Sequence, residues 1–129
     1  MDVVERDETP VLFVATQLEP DAIRRAWDEL ETAVGSLRGR KFYGVFDPAT
    51  HEYRACVQAD DNLALEFPRW TIPGGTYART KLHGDPPAVY GRIAPAVAEL
   101  ESRVDADETR PVIEFYRRSD EIHVLVPVL

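Results

Sequence analysis

Cysteine is nearly absent from this sequence. The single residue, Cys56, excludes an internal disulfide and any cysteine-rich zinc site. Long apolar runs are absent too: no stretch approaches the ~20 residues that a membrane-spanning helix needs. The first ten residues, MDVVERDETP, are acidic and lack the basic start and apolar stretch of a secretory leader. A cytoplasmic protein with no membrane attachment is therefore expected. Basic charge is scarce, with 15 Lys and Arg against 23 Asp and Glu, a formal net charge of −8. The short basic runs at 24–25, 38–41 and 117–118 lie in helix-like or acid-flanked stretches and read as solvated surface. Direct nucleic-acid binding, which calls for a basic face, is not expected. Signatures of nucleophilic and phosphate chemistry are missing as well. There is no Gly-x-Ser-x-Gly elbow and no phosphate-cradling glycine loop; Pro73-Gly74-Gly75 reads as a turn. The three histidines, His51, His83 and His123, show no metal-ligand spacing, and no acidic repeat resembles a calcium loop. Neither a metal nor a cofactor is expected.

What is present is ordinary for one globular domain spanning 1–129. Hydrophobic residues make up 44% and charged residues 29%, which argues against disorder. Short β-rich runs at 11–16, 42–47 and 53–58 read as strands, with a turn at 47–50. A helix opens at Pro20-Asp21, with Ile23, Trp27, Leu30, Val34 and Leu37 spaced by three and four, and Gly35 and Gly39 frame its end. Strands then recur at 68–72, 76–82, 112–118 and 121–127. A second helix opens at Asp85-Pro86, with Val89, Ile93, Val97, Leu100 and Val104 on its buried face. Pro95 falls inside it. An interior proline costs ~3 kcal/mol, so a kink is expected there, or a short first turn followed by the main helix.

The pattern reads as an internal duplication, 1–62 and 63–129, each strand, helix, strand, strand. Arg6 falls on Arg69, Pro10 on Pro73 and Ala15 on Ala78, while 43–46 falls on 113–116.

The second half carries a motif series: Pro73, Gly75, Tyr77 and Ala78; then Pro111, Glu114 and Tyr116; then Val126 and Pro127. Between them, His83-Gly84-Asp85-Pro86-Pro87 keeps a histidine and glycine but has Asp85 inserted and no tyrosine; Tyr90 stands one turn later in its place. This series resembles the GyrI-like small-molecule-binding domain, the effector-binding domain of drug-responsive bacterial regulators. The resemblance implies an α+β fold: two strand-helix-strand-strand repeats related by a pseudo-twofold, a curved antiparallel sheet with two helices, and a ligand groove where the halves meet. It also places Glu114 at the family's pocket acid.

Strand alternation singles out Glu114 independently. Val112, Glu114 and Tyr116 share one strand face; Ile113 and Phe115 share the other. With a two-residue turn at Ser119-Asp120, Tyr116 stands opposite His123 and Glu114 opposite Leu125. That face is then aromatic, apolar and charged at once. A carboxylate in such company is costly unless paired or solvated, and a lipophilic cation suits it. The plain alternative is an exposed glutamate paired with Arg118 or Arg79. By the repeat, Gly44 and Phe46 take the places of Glu114 and Tyr116. The candidate ligand set is Glu114, Tyr116, Phe46, Tyr77, Tyr90, Trp27, His123 and Leu125. Cys56 reads as inert core.

Two functions follow. The first is a stand-alone protein that binds or sequesters a small lipophilic molecule, with cations and aromatics as the favoured kinds. It has no DNA-binding segment and would act with a separate regulator or as a homo-oligomer. The alternative is a hydrolase of reactive electrophiles of the cyclopropane type, in which Glu114 activates water and Tyr116, Tyr77 or His123 orients the substrate.

Overall fold

Alternating apolar and polar residues build eight strands, described here from a computed structural model that covers every residue except Pro48, Asn62 and Ala64. They are β1 (Asp2–Arg6), β2 (Thr9–Gln17), β3 (Phe42–Asp47), β4 (Glu52–Gln58), β5 (Arg69–Ile72), β6 (Gly75–His83), β7 (Val112–Arg118) and β8 (Glu121–Pro127). Part of the turn read at 47–50 (Pro48), and the residue ending the first repeat (Asn62), lie outside the described residues.

The strands form one antiparallel sheet in the order β1-β6-β8-β7-β3-β4-β2-β5. Only Asp7 and Glu8 separate β1 from β2, yet these strands stand towards opposite edges, so the sheet must curl into a half-barrel. The link between β5 and β6 crosses the same place. A Cβ on Gly74 would lie 2.8 Å from both the Arg6 carbonyl oxygen and the Glu8 amide nitrogen, so only glycine lets the two links pass.

Helix α1 (Pro20–Val34) packs on β2 and β4, and α2 (Ile93–Arg103) on β6 and β8. Pro20 sits at the start of α1, where its fixed φ helps and its missing N–H costs nothing. Gly35 ends it at φ 76°, so Leu37 lies beyond the helix and is exposed. Ala22, Ala26 and Leu30 are the residues it buries. The second of the two outcomes expected at Pro95 is the one adopted: a 3₁₀ turn (Ala88–Arg92) precedes α2. Pro95 then falls in the first turn of α2, where amides have no intrahelical acceptor to lose. Both helices cover one face of the sheet, because Phe46 packs against the cores beneath each of them. A third apolar cluster, with Tyr43, Cys56, Tyr77, Ile113 and Leu125, fills the other face inside the curl.

Three details correct the sequence reading. The acidic start forms a strand, β1, so each half contributes strand, strand, helix, strand, strand. Ladder register also differs from the alignment. Gly44 pairs with Glu114 at the centre; outward from it run Gly44–Ala55–Val14 and Glu114–Val124–Thr80. Val14 therefore corresponds to Thr80, and the matches of Pro10 with Pro73 and Ala15 with Ala78 are three residues out of register. Phe46 and Tyr116 do hold equivalent places, each two residues from the central pair. Matching strand order is a property of the topology and does not by itself establish a duplication.

The third correction decides what the site contains. A bulge between Tyr116 and Arg118 shifts the β7–β8 register, so Tyr116 pairs with Ile122 and Glu114 with Val124. A one-residue slip turns every later side chain to the other face. His123 and Leu125 pair with Phe115 and Ile113 instead, away from Glu114.

Candidate functional site

The central strands β3 and β7 lie under the groove between the helices, and Glu114 occupies their midpoint. It is 6% exposed. Room for its side chain comes from Gly44 across the ladder: a Cβ there would collide with the Tyr53 hydroxyl and the Glu114 carboxylate. The Tyr53 hydroxyl donates to Glu114 Oε1 at 2.9 Å, and the Tyr116 hydroxyl donates to the same oxygen at 2.6 Å. Trp27 Nε1 donates to the Tyr53 oxygen at 3.1 Å, fixing the direction of that tyrosine's own proton. Both donors converge on Oε1; Oε2 has none among the described residues and keeps some contact with the surface, since Arg79 Nε is the one fully buried side-chain atom among them that lacks a partner.

No cation pairs with Glu114 among the described residues. Arg79, one partner considered from sequence, pairs with Asp2 at 3.0 Å. Burial raises the Glu114 pKa above the ordinary carboxylate range, and the two tyrosine hydroxyls offset only part of that. Burial, reinforced by the Glu114 charge, pushes both tyrosines well above their usual value, which keeps them as donors.

Aromatic rings wall the carboxylate. Trp27, from α1, meets Tyr116 edge-on at 5.3 Å and Phe42 at 6.1 Å. Tyr90, in the 3₁₀ turn, is 47% exposed and meets Tyr116 edge-on at 6.4 Å. Phe46 lies opposite Tyr53 on β4, half-buried between the two helical cores. Thus Glu114, Tyr116, Phe46, Trp27 and Tyr90 come together.

Tyr77, His123 and Leu125 do not join them. Tyr77 is fully buried inside the curl, donates to the Pro73 carbonyl at 2.6 Å and carries the Arg110 guanidinium over its ring at 4.9 Å. His123 bonds Glu121 at 2.6 Å and packs on Phe115. Leu125 belongs to the core with Ile113 and Cys56. The Cys56 thiol is fully buried and pushed up to about 12 by desolvation, so it is unreactive.

Tyr53 is the site residue that sequence reasoning missed. The signal was there: in the run YRACVQ, Tyr53, Ala55 and Val57 share a face, and the β3–β4 hairpin sets Tyr53 beside Phe46. We expect Tyr53→Phe to raise the Glu114 pKa further, because a donor to the charged form is lost. It also removes the partner of Trp27 and costs ~1 kcal/mol of stability. Carboxyl carbon shifts of Glu114 followed against pH check the first expectation, and tryptophan emission with urea unfolding checks the second.

The arrangement holds one carboxylate oxygen and leaves the other without a donor, between aromatic walls. Among the described residues no cluster of His, Cys, Asp and Glu is placed to hold a metal ion, and no helix is long and apolar enough to cross a membrane.

No protein-family profile matches the sequence, and no curated protein matches it. Likeness lies in three dimensions. The integron cassette protein VCH_CASS2, from the mobile metagenome of Vibrio cholerae, matches with a TM-score of 0.80 at 16% identity, over 99% of this chain and 95% of that one. The protein SAV2435, solved bound to tetraphenylphosphonium, matches with a TM-score of 0.69 at 12% identity, over 99% and 93%. The chain shares their fold. A hydrolase from Listeria innocua shares it too, with a TM-score of 0.59 at 12% identity, over 99% of this chain and 90% of that one. At such identities likeness speaks for architecture alone; function has to be argued from the site.

Proposed function

We propose that this chain is a GyrI-like small-molecule-binding protein that captures a lipophilic cation on Glu114, in the groove between its helices. One observation carries the reading: a largely buried carboxylate that pairs with no cation among the described residues and has one oxygen with no donor, which is not itself fully buried. A buried unpaired anion is unfavourable, and a cation that brings its own apolar surface removes the cost. Trp27, Tyr116, Tyr90 and Phe46 offer that surface contact and ring faces. The Tyr116 hydroxyl swings off Glu114 to admit it. Tetraphenylphosphonium in SAV2435, a protein of this fold, is a ligand of the same chemistry. In this reading the protein sequesters its ligand and acts with a separate regulator or a second copy of itself.

The test uses two ions of one shape and opposite charge, tetraphenylphosphonium and tetraphenylborate, titrated calorimetrically. We expect the cation to bind more tightly to the wild type. Glu114→Gln weakens it roughly tenfold to hundredfold, the equivalent of a charge-assisted contact, and leaves the anion no weaker. Equal affinity for both ions, or a charge preference that survives Glu114→Gln, contradicts the proposal.

A second reading, hydrolysis of a reactive electrophile, is favoured by the raised pKa of Glu114 and its fixed orientation, which suit a general base acting on water. Turnover of a cyclopropane or epoxide probe would then fall ~10²–10⁴-fold in Glu114→Gln. A wild type that binds such probes without turning them over leaves the binding reading alone.

A further inference from the structure

The two oxygens of Glu114 differ in kind. Oε1 is filled: the Tyr53 and Tyr116 hydroxyls both donate to it, at 2.9 and 2.6 Å. Oε2 receives no donor from the described residues and keeps some contact with the surface, so a donor from outside the chain can reach it. The walls around it are rings with little to offer a hydrogen bond. Trp27 spends its one N–H on the Tyr53 oxygen, and Phe42 and Phe46 have no polar group. When the Tyr116 hydroxyl turns aside, Tyr53 still donates to Oε1, and Oε2 remains the oxygen without a donor.

Two features of this site pull in opposite directions. A cage of aromatic rings favours a fully alkylated onium ion, because every carbon around the charge meets a ring face. A carboxylate oxygen without a donor favours a cation that still carries a proton. Magnitudes decide between them. A charge-assisted hydrogen bond is worth roughly tenfold to hundredfold in affinity, whereas one further buried methyl group is worth about fourfold. Exchanging the last N–H for a methyl therefore weakens binding. Exchanging the earlier ones strengthens it: a primary ammonium brings three N–H groups, and those that miss Oε2 face rings, which accept them only weakly.

We infer that the ligand head is a protonated tertiary amine, whose single N–H donates to Glu114 Oε2 while its carbon substituents pack on Trp27, Tyr116, Tyr90 and Phe46. The inference rests on the reading of Glu114 as a cation site and narrows it. Quaternary onium ions, tetraphenylphosphonium included, bring charge and apolar surface but no donor for Oε2.

The experiment takes one apolar body through four states of methylation: naphthylmethylamine and its N-methyl, N,N-dimethyl and N,N,N-trimethyl derivatives. Each is titrated calorimetrically into wild type and Glu114→Gln, at a single pH where all four are cationic. A proton held by Glu114 lowers the four affinities alike and leaves their ratios unchanged. In the wild type, affinity rises from the primary to the tertiary amine and falls about tenfold at the quaternary ion. In Glu114→Gln the amide oxygen stays with the two tyrosines and its NH2 group, a donor, faces the ligand. The fall then disappears, and affinity climbs with each methyl through the quaternary ion.

Failure can be assigned to its source. If the wild type binds the quaternary ion most tightly while Glu114→Gln weakens all four, the tertiary-amine head is overturned and the Glu114 reading stands. A maximum at the primary or secondary amine overturns it in the same way, as does a fall at the quaternary ion that survives Glu114→Gln. A wild type that binds tetraphenylphosphonium but none of the four also overturns it. If Glu114→Gln leaves all four affinities unchanged, the reading of Glu114 falls and the amine head falls with it.

Discussion

Gly44→Ala is expected to cost both stability and cation selectivity. The added Cβ has nowhere to go: it would strike the Tyr53 hydroxyl and the Glu114 carboxylate, and lie 2.9 Å from Tyr53 Cζ. Gly44 and Tyr53 are buried in the centre of the sheet, so neither the strand nor the ring can move freely. Overpacking of this kind costs typically ~1–3 kcal/mol. The carboxylate is also pushed off the two tyrosines, so tetraphenylphosphonium affinity falls by at least as much as in Glu114→Gln. Gly91→Ala is the control, since a Cβ there meets nothing within 4 Å. Urea midpoints for the two variants provide the comparison. A Gly44→Ala protein as stable as Gly91→Ala would mean that Tyr53 and Glu114 do not close over that strand.

Glu114→Gln is expected to move stability and binding in opposite directions. Burial raises the Glu114 pKa in the folded protein above its unfolded value. The folded state therefore holds the proton more tightly than the unfolded chain does. That favourable contribution is fully present below the unfolded pKa and is lost as pH rises through the folded pKa. Above its folded pKa the wild type carries an ionised carboxylate that folding desolvates. Glutamine removes the charge and keeps an oxygen for Tyr53 and Tyr116. The variant should thus unfold at a higher temperature than wild type at pH values above the folded pKa, with the gap closing as pH falls through it. Its loss of cation affinity, roughly tenfold to hundredfold, is the other half of a stability–function trade-off. In the wild type, cation affinity declines as pH drops through the raised pKa, because the ligand must displace a proton. Thermal unfolding and calorimetry over one pH series measure both. A variant less stable than wild type at the alkaline end of the series would show that the charge is satisfied by groups other than those described.

Much of this was legible in the sequence, for physical reasons that can be named. Seven strands and both helices follow from periodicity and from the prolines and glycines that punctuate them. The run 112–116 placed Glu114 and Tyr116 on one face because alternation within a strand needs no knowledge of its neighbours. What failed were statements about neighbours. The bulge after Tyr116 inserts one residue without any glycine to announce it, and that slip alone removed His123 and Leu125 from the site. Tyr77 was placed by family likeness, whereas the curl of the sheet turns its face inward. β1 was hidden because Asp2 to Arg6 carries too much charge to read as a strand; as an edge strand it pairs on one side only. Gly44 was noticed only as the counterpart of Glu114 in the first repeat; that the two pair across the ladder is a finding of the structure. Its function, leaving space for a carboxylate, appears only when Tyr53 is seen to lie over it.

The most direct measurement is a crystal structure of the protein with tetraphenylphosphonium. The account predicts the cation in the groove between α1 and α2, nearest to Glu114 Oε2. Phenyl rings would lie against Trp27 and Tyr90, and the Tyr116 hydroxyl would be drawn away from Glu114. A cation bound elsewhere, with Tyr53 and Tyr116 still closed over Glu114, would contradict it.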